Sequence, residues 1–487
     1  MAHISENFIQ HIEQQLPDHI KLEEFIAACQ RPLRKSFRAN LLKTDTQALQ
    51  SLFEAEGYQL TPIPWCEEGF WVDESHKTLP ENLGNWLPHL QGQLYIQEAS
   101  SMLPVKALLH DFDYSSQSTF LDMAAAPGSK TTQLAARLNN QGQIIANELS
   151  STRLKGLSHN IQRCGVVNTA LSHNDGTIFG TATPEYFDAI LLDAPCGGEG
   201  TVRKDEQALN NWSLDKVVSI SELQKELITS AYHALKPGGR LVYSTCTLSQ
   251  EENHAVCQHL LTQFPDNVTI KPLNDLFEGA EKAATSEGYL HVFPNTYDCE
   301  GFFVACFDKG NAMGAAKENN HNRTQTKVGK FSKISDKNFE SVNSYSQIFG
   351  WDLSPIKANL YTKTLRNGSE EVWLLDDAML TFNNTLKLNR FGSKLFELNK
   401  HGPKIQHQAI TSFGQELTKQ SISLNEKQAQ EYLQGRDIFL EDSSPPKHKE
   451  VIVRFNGVSL GLAKHLGNKL KNNLPRDLVR DNIFTQL

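Results

Sequence analysis

The chain has 487 residues, enough for about three domains at roughly 150 residues each, and 39% of them are apolar and 21% charged. That balance excludes general disorder, which needs low hydrophobicity and high net charge, and no apolar run approaches the roughly 18 residues that span a bilayer. The net charge of −9 hides an asymmetry: residues 1–310 hold 22 Lys/Arg against 38 Asp/Glu, and residues 311–487 hold 25 against 18. An acidic body with a basic C-terminal part suggests that binding and chemistry are partly divided between them. Met1-Ala2-His3-Ile4-Ser5-Glu6 has neither a basic segment nor an apolar core, so no secretory signal is expected. The eight cysteines (29, 66, 164, 196, 246, 257, 299 and 306) include no C-x-x-C pair, which argues for reduced thiols in a cytoplasmic protein.

In chain order, residues 5–30 have helical spacing (Phe8, Ile9, Ile12, then Leu22, Phe25, Ile26) with a break near Pro17. SFRANLL, GFWVD and QLYIQ read as strands, which makes 1–105 a small α+β unit. From 106 to 310, short apolar runs alternate with helical patterns: Thr119–Met123, Gln143–Asn147, Thr169–Ser172, Ala189–Leu192 and Arg240–Ser244. Strands alternating with helices predict a doubly wound, mostly parallel α/β domain. Gly288–Phe293 and Gly301–Phe307 are too close for a crossover helix and should pair antiparallel at one edge. Residues 311–334 are polar and small, hence a linker. An intermediate domain is expected at 335–424 and a last unit at 425–487.

The segment Thr119-Phe-Leu-Asp-Met-Ala124-Ala125-Ala126-Pro127-Gly128-Ser129-Lys130 runs from a strand through small residues into a helix. Small side chains admit a ligand close to the backbone, and a helix start offers unpaired N–H groups. It matches neither G-x-G-x-x-G nor the P-loop, so nicotinamide and triphosphate readings weaken. Glu148, Asp175 and Asp193 then fall at or near the ends of three successive strands. In a parallel sheet these ends face one crevice. Glu148 stands where ribose hydroxyls are read, and Asp175 where an adenine amino group is. Acidic groups with no phosphate cradle suit a cationic, phosphate-free cofactor such as S-adenosylmethionine.

Cys196 follows strand four in Asp193-Ala194-Pro195-Cys196-Gly197-Gly198, and Cys246 follows strand five in Ser244-Thr245-Cys246-Thr247. If the strands are neighbours, both thiols lie at one sheet edge. Carbon 5 of cytosine becomes nucleophilic only after something adds to carbon 6, and a thiolate does this well. Either thiol can attack, with the other assisting release. Ser249-x-x-Glu252 reads as a capping box for the next helix.

DMAAAPGSKT, DAPCGGEGT and YSTCTLSQEEN, with Arg38-x-Asn40 and GQLYIQEASS, resemble the Sun/Fmu-type RNA 5-methylcytosine methyltransferases, strongly over about residues 30–310. The remainder is similar in size and in a final PUA-like unit to the members acting on small-subunit ribosomal RNA. The resemblance implies a Rossmann-like catalytic domain and S-adenosylmethionine as cofactor. It implies a 16S ribosomal RNA partner, in the assembled subunit, for a monomer without metal. It assigns Ala124 to Lys130 to the methionine portion, Glu148 to the ribose, Asp175 to the adenine and Asp193 to the target base. Cys246 becomes the nucleophile and Cys196 the release group. A transfer-RNA enzyme of the same family and a catalytically silent RNA-binding assembly factor are the alternatives. An amino-methylating enzyme is disfavoured, because Asp193-Ala194-Pro195-Cys196 replaces the polar N/D-P-P-Y element of that chemistry. Arg31, Arg34, Lys35, Arg38, Arg203 and Lys204 are expected on RNA phosphates, as are Arg454, Lys464, Lys469, Lys471, Arg476 and Arg480 in the tail.

Overall fold

The computed structural model describes residues 4–311, 331–382, 386, 388–440, 446 and 448–484. Two helices, Glu6–Glu13 and Leu22–Gln30, open the chain on either side of Pro17. The first is started by Ser5, whose hydroxyl accepts the Phe8 N–H. An antiparallel sheet follows, made of β1 (Ser36–Ala39), β2 (Gln59–Ile63), β3 (Cys66–Asp73) and β4 (Leu94–Ile96) in the order β2-β3-β1-β4. The sequence reading identified three of these strands. It passed over β2, whose residues are mostly exposed and carry Pro62.

The catalytic sheet comprises β5 (Thr119–Asp122), β6 (Gln143–Asn147), β7 (Thr169–Ser172), β8 (Phe187–Asp193), β9 (Leu235–Thr245), β10 (Val268–Ile270), β11 (Leu290–Val292) and β12 (Phe302–Lys309). Strands β5 to β9 are parallel, with β8 between β9 and β5. β12 pairs antiparallel with β9 and also carries β10 and β11. Ile144, Ile145, Ile190 and Leu191 are at most 1% exposed. Apolar runs without alternation are what a sheet covered on both faces requires. The doubly wound fold and its antiparallel edge therefore stand as expected.

The C-terminal part departs from the expected boundaries. Residues 312–330, most of the expected linker, lie outside the described residues. β13 (Phe331–Lys333), placed in that linker, is instead an edge strand beside β14 (Leu360–Thr364), which pairs with β15 (Glu370–Leu374). β16 (Leu388–Phe391) leaves the intermediate unit and adds antiparallel to β7, extending the catalytic sheet. Met379, Phe382, Leu386 and Leu388 pack in the catalytic core with Phe179 and Phe187. β17 (Ser393–Asn399) and β18 (Gly402–Ile405) return to the intermediate sheet.

The last unit, β19 (Ser421–Ser423), β20 (Ile438–Phe439), β21 (Glu450–Phe455), β22 (Val458–His465) and β23 (Lys469–Asn472), forms a five-stranded sheet. Its Ile452 and Leu462 enter the intermediate unit's core. Near the C-terminus, Phe484 O accepts the Leu87 N–H (2.9 Å). The units are thus interlocked by buried apolar contacts. Among the described residues, no helix is long and apolar enough to cross a membrane.

Candidate active site

The ends of β5, β6, β7 and β8 converge by register: Asp122 lies beside Ala146 and Leu191, Asn147 beside Ser172, and Asp193 beside Ser244 of β9. Neighbouring strands are about 4.8 Å apart, so side chains leaving these ends share one crevice. Ala124 to Gly128 lead from β5 into the helix Ser129–Arg137, with Gly128 left-handed (φ 102°) as N-cap. The first-turn N–H groups of that helix have no intrahelical acceptor and supply a positive dipole end.

Glu148 follows β6 directly and is 3% exposed. One of its oxygens accepts the Ser150 N–H (2.7 Å). The other has the Arg153 guanidinium at 3.3 Å but no hydrogen bond. Asp175 lies three residues beyond β7 and accepts the Thr177 N–H (3.0 Å) and hydroxyl (2.9 Å). The sequence reading missed Asp122. It is 1% exposed, its Oδ2 accepts the Thr131 hydroxyl (2.6 Å) and its Oδ1 has no partner. Burial pushes its carboxyl up to about 6. Orphaned acidic oxygens beside a helix start fit a nucleoside with a cationic sulfonium and no phosphate.

The two thiols meet. Cys196 Sγ and Cys246 Sγ are 3.2 Å apart, and both are partly exposed, whereas the other six cysteines are buried. With Cys196 as donor, the shared hydrogen bond holds the Cys246 thiol below its ordinary value and Cys196 well above it. Burial and Asp193 oppose the shift at Cys246, and the Lys130 charge adds to it. Lys130, 5% exposed, pairs with Asp193 at 2.6 Å and donates to Ser101 Oγ at 3.2 Å. The Ser244 hydroxyl donates to the other Asp193 oxygen (2.8 Å). The Lys130 ammonium also lies 5.4 Å from the centre of the Phe302 ring, on the strand whose Phe303 pairs with Thr245.

Ser249-x-x-Glu252 is not a capping box. The helix begins at His254 with Asn253 as N-cap and no side-chain cap. Ser249 instead donates to Glu199 (2.6 Å), and Glu199 also accepts the Thr247 hydroxyl and the Leu248 and Ser249 N–H groups. Glu252 accepts the Gly197 N–H (3.0 Å) and the Gln224 amide (2.7 Å), and Gln224 donates to Pro195 O (2.8 Å). These two fully buried carboxylates tie the Cys196 loop to the Cys246 loop. Gly200 completes the tie by donating to Cys246 O (2.9 Å). A Cβ there would sit 2.2 Å from Gly301 O, so only glycine permits the approach.

Three arginines expected on RNA are structural. Arg38 is 1% exposed and donates to Gln97, Ser129 O and Thr132, clamping the N-terminal unit onto the helix Ser129–Arg137. Arg203 has a fully buried side chain, pairs with Asp298 (2.8 Å) and donates to the carbonyls of Arg31, Pro32 and Cys299. Arg454 likewise donates to Gly414 O, Leu417 O and Gly457 O. Lys204, Lys464, Lys471 and Arg476 remain exposed.

Burial and the charge of Glu199 push the Glu252 carboxyl up to about 7. Asp122 and Glu252 thus hold protons in the fold that the unfolded chain releases near pH 4. Their contribution is complete below that value and is lost as pH rises through about 6 and 7. Asp122→Asn is expected to flatten the fall of the cofactor-free melting temperature between about pH 4 and 6, leaving the Glu252 part up to about 7. An unchanged profile in the variant would contradict this assignment.

A parallel sheet with a helix-start crevice at its carboxyl edge, buried carboxylates in that crevice and two thiols in contact beside it has the architecture of a Rossmann-like methyltransferase domain. Residues 111–308 match the 16S rRNA methyltransferase RsmB/F family, 4–99 the N-terminal domain of 16S rRNA methyltransferase RsmF, and 419–480 the methyltransferase RsmF PUA domain. The ribosomal RNA small subunit methyltransferase F of Vibrio campbellii is 47% identical over 489 residues, covering 99% of each chain. That of Shewanella oneidensis is 47% identical over 488 residues, again with 99% of each chain covered. A methyltransferase homologue from Pyrococcus horikoshii superposes with a TM-score of 0.53 at 34% identity, covering 63% of this chain and 95% of that one. The NSun6 structure from the same organism, TM-score 0.55 at 21% identity over 63% of this chain and 99% of that one, shares the fold. The chain belongs to the ribosomal RNA small subunit methyltransferase F family, whose methyl donor is S-adenosylmethionine.

Proposed function

We propose that this chain methylates carbon 5 of a cytidine in 16S ribosomal RNA through a transient bond between Cys246 Sγ and carbon 6 of the base. The observation that carries the reading is the contact of two partly exposed thiols, Cys196 Sγ and Cys246 Sγ 3.2 Å apart, at the sheet edge that also holds the Lys130–Asp193 pair. A thiolate is the attacking species; Cys246, which stands in the T-C element that supplies the nucleophile in the family the chain resembles, attacks, and Cys196 keeps its proton. Bound S-adenosylmethionine supplies an electrophilic methyl group. Cys246 adds to carbon 6 and makes carbon 5 nucleophilic. After transfer, a water molecule takes the proton from carbon 5, the electron pair of that C–H bond re-forms the ring double bond, and the bond from carbon 6 to Cys246 breaks so that Cys246 leaves as thiolate, with the Cys196 S–H beside it to stabilise that charge. Asp193 and Lys130, paired at 2.6 Å next to both thiols, would hold the polar edge of the pyrimidine. Ala124 to Lys130 would hold the methionine portion, Glu148 the ribose and Asp175 the adenine.

A base inside a stem must leave its stack to reach Cys246, at a cost of a few kcal/mol. Contacts made elsewhere on the RNA offset that cost. Residues beyond 311 cannot simply be deleted to measure them, because β16 belongs to the catalytic sheet. Charge reversal of exposed Lys464, Lys471 and Arg476 isolates the term. The triple Glu variant is expected to bind 16S rRNA more weakly, with its salt slope reduced by about 1–2. An unchanged slope would remove this surface from the RNA interface. The reaction itself is tested with labelled donor and 16S rRNA, protein-free and in small subunits: label on carbon 5 of cytidine in either supports it, and label on another base or on neither substrate overturns it.

A further inference from the structure

An unassigned cleft of about 560 Å³ lies away from the thiols, between the helix Ser151–Arg163, residues 407–411 of the intermediate unit, and β22 with residues 474–480 of the last unit. It exists only because the last unit packs on the catalytic domain. Leu154, Leu460 and Leu474 give it an apolar wall, and His159, His173 and His407 contribute rings. Burial lowers His407 to about 4 and also lowers His159, helped by Arg163 and Arg480, so both rings are neutral near pH 7. The cationic lining is Lys155, Arg163 and Arg480 against a single carboxylate, Asp477. Arg163 is spent on the His89 and Leu94 carbonyls (2.5 and 3.2 Å), and Arg480 donates to the Asp477 and Val479 carbonyls. The exposed Lys155 ammonium has no ion pair among the described residues. Ser459, 8% exposed, lines the cleft with a buried hydroxyl that has no partner.

An apolar wall, neutral rings, an unpaired hydroxyl and excess positive charge together select a ligand that is flat, polar-edged and anionic. The volume falls within the range of small-ligand sites. We propose that this cleft holds one unstacked nucleotide of the RNA substrate, with its base against Leu154, Leu460 and the imidazoles and its phosphate at Lys155 and Arg480. It would anchor the RNA at a second point, remote from the target cytidine. The cleft adjoins the cofactor loop, since His173 Nε2 lies 2.8 Å from Leu149 O, one residue after Glu148. The inference rests on the reading that RNA is the substrate.

The test uses the full chain with 16S rRNA both protein-free and in small ribosomal subunits, with binding measured against salt and methyl transfer measured separately. Lys155→Ala with Arg480→Ala is expected to raise Kd and the KM for RNA about tenfold and to lower the salt slope by about 1. The kcat at saturating RNA and the KM for S-adenosylmethionine should stay unchanged. Ser459→Phe fills the cleft without touching charge, so it should weaken RNA binding at an unaltered salt slope. Lys155→Glu, at an exposed helix position, serves should the double variant lose its wild-type melting temperature. RNA affinity and slope equal to wild type in folded variants would overturn the proposal, as would a changed KM for the methyl donor alone. Wild-type protein that binds RNA but transfers no methyl group would instead defeat the proposed reaction and leave the binding comparison readable.

Discussion

Cys246→Ala is expected to reduce methyl transfer by a factor on the order of 10⁴ or more, with RNA and donor binding retained. The loss is large because alanine cannot add to carbon 6, and without that adduct carbon 5 does not attack. Cys246→Ser tests the same point differently. A hydroxyl keeps the size and the hydrogen bond to Cys196, but its pKa lies far above that of a thiol, so it should be nearly as inactive. Neither variant should unfold, because Cys246 is only partly buried at the end of β9. Turnover within tenfold of wild type in either variant would contradict the assignment.

Cys196→Ala is expected to act at the opposite end of the reaction. Attack and methyl transfer proceed, but the departing Cys246 thiolate loses the S–H held 3.2 Å away. A denaturant-stable complex of protein and RNA carrying the transferred methyl group should accumulate, with turnover down on the order of 10²-fold. Loss of the S–H donor should also move the Cys246 pKa back up, since that bond is the leading cause of its lowering. The pH dependence of adduct formation should therefore shift to higher pH. A variant that forms no adduct and has lost all methyl transfer would reverse the roles of the two cysteines.

What the sequence disclosed was mostly local or periodic. The unbroken apolar runs of β5 to β9 announced a buried parallel sheet, and the gap between β11 and β12 was too short for anything but antiparallel pairing. Cys196 and Cys246 could be expected at one edge because they follow consecutive strands, which the sheet order makes neighbours. The sequence was silent where a side chain's partner lies far along the chain. Arg38 looks like any basic surface residue until Ser129 and Thr132, about ninety positions on, are brought to it. Glu252 fits a capping pattern locally, but Gly197 and Gln224 claim its carboxylate before a helix can. β16 was assigned to a separate domain because strand pairing across more than two hundred residues leaves no local trace. Asp122 sat inside a segment already singled out, and its strand-end acidity next to small residues was the signal that could have named it.

The central claim is that sulfur 246 bonds to the pyrimidine during turnover. It is tested most directly with 16S rRNA containing 5-fluorocytidine, whose fluorine cannot leave carbon 5 as the proton does. The account predicts a stable RNA–protein complex that forms only with S-adenosylmethionine present and whose digested peptide carries the nucleotide on Cys246. Attachment at Cys196, or methylation of ordinary RNA with no trapped complex on the fluorinated one, would contradict it.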